Sequence, residues 1–125
     1  MPFCSKCLLI VLLLSAFAYS QSMKKKCRII IEEEEKAMMA EQDMAKSLSQ
    51  VTSKEELLET TVKSYNEAVI RWVKLYDIVF ERKTKKEDMP LVTAEEAQSG
   101  EGLLKIIGGN MYKNEIARYY ITFCE

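Results

Sequence analysis

From Pro2 to Pro90 the chain contains no glycine and no other proline, and its four glycines, Gly100, Gly102, Gly108 and Gly109, fall within ten residues. Nothing else in the sequence limits the fold so strongly. Glycine and proline are the usual punctuation between short strands and tight turns. A chain this poor in them favours a few long helices over a sheet, so the expected class is all-α. Its 125 residues suffice for one domain. Nearly half of them are apolar and 30% are charged, a globular balance.

The first twenty residues read as a separate unit. Lys6 and the amino terminus supply a positive start, Leu8–Leu14 a short apolar core, and Ala16, Ala18 and Ser20 the small residues of a processing site. The expected division is a signal peptide over 1–20, cut before Tyr19 or Gln21, and a secreted helical domain over 21–125. The apolar run from Cys7 to Tyr19 would span about 20 Å as a helix, short of a bilayer core of about 30 Å, so no stable membrane insertion is expected after cleavage. Lys24, Lys25, Lys26 and Arg28 just beyond the run are the feature that would favour an inverted anchor.

Cleavage would also remove Cys4 and Cys7, leaving Cys27 and Cys124 near the two ends of the mature chain. In an oxidising compartment such a pair is expected to form a disulfide, with an intermolecular bridge as the alternative.

Four helices are expected. The first covers about 24–50, with Ile30, Met44, Leu48 and Val51 on a rough apolar stripe. The second, about 53–86, opens with the capping box Ser53-Lys-Glu-Glu56. It carries Leu58, Val62, Tyr65, Val69, Trp72, Tyr76 and Val79 at alternating spacings of four and three, the seam of a coiled coil. A second capping box, Thr93-Ala-Glu-Glu96, opens a third helix over about 93–107. Gly108-Gly109 stops it, and a fourth follows over about 110–123. The β-branched and aromatic runs at 28–31 and 119–123 could alternatively form short strands.

These lengths imply a small bundle: a long helical hairpin (24–50 and 53–86) with a shorter hairpin (93–107 and 110–123) packed on one end. The covered half is the one containing Ala68–Phe80, which is apolar on nearly every side and needs several neighbours. That tracing returns Cys124 to Cys27. It leaves Leu48, Val51, Leu57, Leu58, Val62 and Tyr65 at the far end as a candidate interaction patch.

The chain has no histidine and a formal net charge of −1, or −2 once Lys6 is removed. No catalytic triad, metal cluster or phosphate loop is visible, and the charge gives no drive toward nucleic acid. The acidic run Glu32–Glu35 beside Lys24–Arg28 reads as a solvated helix face. The expected function is therefore a non-catalytic secreted binding protein without a cofactor. Its partner would be an extracellular protein or a second copy. The alternative is a carrier of a small apolar ligand near Trp72, which with Tyr65, Tyr76, Tyr112, Tyr119 and Tyr120 is otherwise expected to be plain core.

Overall fold

The computed structural model describes residues 5–125, so the first four residues of the expected signal peptide lie outside the described residues. Three helices are present: α1 (Ser5–Ser49), α2 (Lys54–Phe80) and α3 (Gly100–Phe123). Among the described residues there is no strand, and both 28–31 and 119–123 are helical. The expected count of four is therefore corrected to three.

Helix α1 runs for 45 residues, about 68 Å, because no residue in it breaks a helix. It does not begin near residue 24 as expected. The apolar run and the following segment form one continuous rod.

At the turn after α1, Ser53 caps α2: its Oγ accepts the Glu56 amide at 3.1 Å. The Glu56 carboxylate reaches back to Thr52, accepting from its amide and its hydroxyl, each at 3.3 Å. Helix α2 ends at Phe80, six residues before the expected limit. Glu81 adopts a left-handed conformation (φ 55°), and the amide of Arg82 donates to the Asp77 carbonyl at 3.0 Å. The Asp77 carboxylate also accepts the Thr84 amide and hydroxyl. Between Phe80 and Met89 the sequence has no apolar side chain to bury, so another helical turn would gain nothing from packing.

Residues 81–99 return along α2 as irregular chain. Asn66 fixes this return like a short piece of ladder: its Nδ2 donates to the Val92 carbonyl at 2.7 Å, and its Oδ1 accepts the Val92 amide at 2.9 Å. The Thr93–Glu96 capping box forms in both directions, yet it starts only a short 3-10 turn, Glu96–Gln98. Ser99 then caps α3. Lys105 on α3 pairs with Glu96, and this bond holds the Glu96 carboxyl below its usual range.

The expected hairpin of 93–107 and 110–123 is thus one outward leg of irregular chain and one helix. Helix α3 runs straight through Gly108-Gly109, and no glycine has positive φ. Gly109 is not a stop. A methyl group there would collide with the Tyr65 hydroxyl and stand 3.0 Å from Val69 Cγ2. Gly109 is therefore a point where α3 lies close against α2.

Tyr76 packs edge-on to Tyr112, and Phe80 to Tyr119, so α3 runs parallel to α2. Lys26 pairs with Glu81 and Cys27 lies beside Cys124, so α1 is antiparallel to both. Where the three helices meet, Ile30, Leu75, Val79 and Ile116 form the core, flanked by Ile29, Tyr76, Phe80, Tyr119 and Tyr120. Val69, Val73 and Val92 are also buried. Between Ile30 and Val69 no residue is fully buried.

Gly108 and Gly109 give a matched test of the unbroken helix. Gly108 has open space around it, the nearest atom to an added methyl being Pro90 Cβ at 4.0 Å. Gly108→Ala should raise stability by about 1 kcal/mol through helix propensity. Gly109→Ala should lower it by about 1–3 kcal/mol through overpacking. Thermal unfolding followed by circular dichroism measures both, and a loss of stability in Gly108→Ala would indicate a break at that point.

Candidate interaction surface and groove

The Cys27–Cys124 bridge joins the N-terminal end of the core to the last residues of the chain. It lies near the start of the part of α1 that packs on the body, next to the Lys26–Glu81 pair. Before it, every side chain from Leu8 to Tyr19 is exposed. That stretch sits in a helix long and apolar enough, by length and composition, to cross a membrane, and none of it is buried. A disulfide and an exposed apolar N-terminal helix are both compatible with a secreted protein.

Toward the hairpin turn the packing of α1 and α2 leaves an open groove of about 670 Å³ between Ala37–Ser47 of α1 and Thr60–Trp72 of α2. Leu48, Val51, Leu58 and Val62 are half-buried here and Leu57 is exposed. Tyr65, the sixth member of the expected patch, is held inward. Its hydroxyl lies 3.0 Å from the Lys105 carbonyl and 3.3 Å from that of Pro90, and burial raises its pKa, so it stays a donor at neutral pH. Tyr65 is therefore a packing residue between α2, α3 and the return segment.

Trp72 is half-buried rather than central to the core, because Leu75 and Val79 take the position between α1 and α3. Lys113 Nζ lies 5.6 Å from its ring centroid. Trp72 lines a second groove of about 240 Å³ together with Met38, Leu75, Lys113 and Ile116. Arg71 stands where the two grooves meet, and its Nε is buried without a hydrogen-bond partner. Tyr112 is also pushed up, first by burial and then by neighbouring Tyr76, Asp77 and Asp88.

A run of exposed apolar side chains lies elsewhere on the body. Leu103, Leu104, Ile107 and Met111 on the outer face of α3 are each between 53% and 70% exposed. Sequence reasoning missed this stripe because it placed these residues in two short helices that shield each other. The available signal was that apolar residues occur all round the segment from Leu103 to Phe123, more than one neighbouring surface can cover.

Among the described residues no group of three or more Cys, Asp or Glu is placed to hold a metal ion. Set against protein-family models, curated proteins and solved structures, the chain matches none.

The bridge closes a loop of 97 residues, for which the chain-entropy model gives about 4–5 kcal/mol. Peptide mapping without reductant should recover the Cys27–Cys124 pair from monomer, and Cys124→Ser should lower unfolding stability by that order. A disulfide-linked dimer would contradict the assignment.

Proposed function

We propose that this is a secreted, non-catalytic binding protein that works through a helical surface, and that residues 1–20 are its signal peptide. The observation that carries the reading is the apolar stripe of Leu103, Leu104, Ile107 and Met111 on the outer face of α3. Contiguous exposed apolar side chains on a soluble domain commonly mark an interaction site. Spacings of four along Leu103, Ile107 and Met111 suit helix-to-helix packing. A second copy of the chain is the first occupant to test, since a two-fold axis would set one stripe against its twin. Leu57 at the open hairpin end extends the candidate surface expected from Leu48, Val51, Leu58 and Val62. The leader reading is supported by Leu8–Tyr19, all of them exposed, whose removal leaves the core untouched.

A second reading, a carrier of a small apolar ligand, is favoured by one observation: Trp72 faces a groove lined by Met38, Leu75 and Ile116. Native mass spectrometry separates the two, reporting oligomer and retained ligand in one spectrum.

Sedimentation velocity of the secreted protein should show concentration-dependent self-association. Leu104→Glu should weaken it at least about tenfold, or 1.4 kcal/mol, with helix content and the disulfide retained. Leu57→Glu reports separately on the hairpin end. A wild-type chain that stays monomeric at every concentration overturns self-association through α3. A bound small molecule in that monomer, lost in Trp72→Ala, would establish the carrier instead.

A further inference from the structure

We infer that the mature chain begins at Gln21 and that this residue closes on itself to pyroglutamate; the inference rests on the secretion reading above. Three bonds carry small residues at both the −3 and −1 places: Ala18–Tyr19, after Ala16 and Ala18; Ser20–Gln21, after Ala18 and Ser20; and Ser22–Met23, after Ser20 and Ser22, a cut that would leave the half-buried Met23 as the chain end. The structure separates them. Every large apolar side chain from Leu8 to Tyr19 is exposed on α1. A cut after Ala18 would leave Tyr19 as an exposed aromatic at the tip of the mature chain. A cut after Ser20 removes the whole apolar run and leaves a polar start, Gln21-Ser22, both exposed, followed by half-buried Met23.

An amino-terminal glutamine carries its own electrophile. Its α-amine attacks its side-chain amide carbon, a five-membered lactam forms, and the amide nitrogen leaves as ammonia. No oxidant or co-reactant is needed. Three features at Gln21 favour the step. The side chain is exposed and makes no hydrogen bond to the body. Loss of residues 17–20 removes the carbonyls that accept the amides of residues 21–24, so the first turn frays and the side chain can fold back. Closure also discharges an ammonium group that would stand beside Lys24, Lys25, Lys26 and Arg28 at the positive end of the α1 dipole, where cations are disfavoured.

The test is intact-mass and tandem mass spectrometry on protein taken fresh from the medium. The Glu-specific peptide 21–32 should be lighter by one ammonia than the open glutamine form, and Edman degradation of the intact chain should be blocked. Gln21→Ala should be secreted, cut at the same bond and sequenced normally from Ala. A free amine on Gln21, closure that appears only on storage, or a chain starting at Tyr19 would each overturn the inference while leaving secretion standing. A chain retaining Met1 would overturn the secretion reading itself.

Discussion

The three helices depend on one contact, the mutual burial of Ile30 from α1, Leu75 and Val79 from α2, and Ile116 from α3. The fold follows from the width of the apolar arc on α2. Val69, Val73, Tyr76 and Phe80 lie along one side of it, and Trp72, Leu75 and Val79 are turned toward the other. At 100° per residue these positions cover roughly 160°, too broad for a single helical neighbour. Helix α2 therefore takes α3 alongside it in parallel and α1 antiparallel. The irregular leg 81–99 is what allows the parallel arrangement, because it carries the chain back along α2 before α3 begins. Asn66 fixes that leg by bonding both backbone groups of Val92, so its polar groups are satisfied without a helix.

Order is graded from one end of the molecule to the other. At one end the core, the tilted and edge-on rings of Tyr76, Phe80, Tyr119 and Phe123, and the Cys27–Cys124 bridge are concentrated around the last turns of α2 and α3. At the other, α1 and α2 leave an open groove and keep only half-buried contacts. The bridge matters most where it stands. It ties an early packed turn of α1 to the end of α3, two segments 97 residues apart, and so removes a large loop from the unfolded ensemble. The packing is therefore densest where the chain is bridged and sparsest toward the hairpin turn.

Much of this was legible in the residues. The caps at Ser53 and Thr93 both form, because they are local: Thr93 and Glu96 close on each other, and Ser53 accepts the Glu56 amide while Glu56 reaches one residue further back to Thr52. The cysteine pairing and the extra cover over Ala68–Phe80 were legible for similar reasons: one is a matter of counting, the other of apolar density. What was not legible depends on tertiary contacts. Gly108-Gly109 has the signature of a helix stop, yet Gly109 is there for close approach to Tyr65 and Val69, which only the partner helix reveals. Thr93–Glu96 has the signature of a long helix, but the chain passes from that turn to a second cap at Ser99, and Gly102 lets α3 begin tight against the Glu96 carbonyl. Arg82, Lys83, Lys85 and Lys86 suit the end of a helix electrostatically, but they offer nothing to bury, and α2 ends before them. Trp72 fits the heptad seam and was placed at the core; with two neighbours rather than one, the buried line shifts to Leu75 and Val79 and leaves Trp72 at a groove.

Native-state hydrogen exchange, read by mass spectrometry on the disulfide-intact chain, tests the graded architecture most directly. The account predicts slowest exchange in the amides around Ile30, Val69–Val79 and Ile116, and exchange faster by orders of magnitude across residues 40–60 at the hairpin end. Uniform protection along α1 and α2, or strongest protection at the hairpin turn, would contradict it.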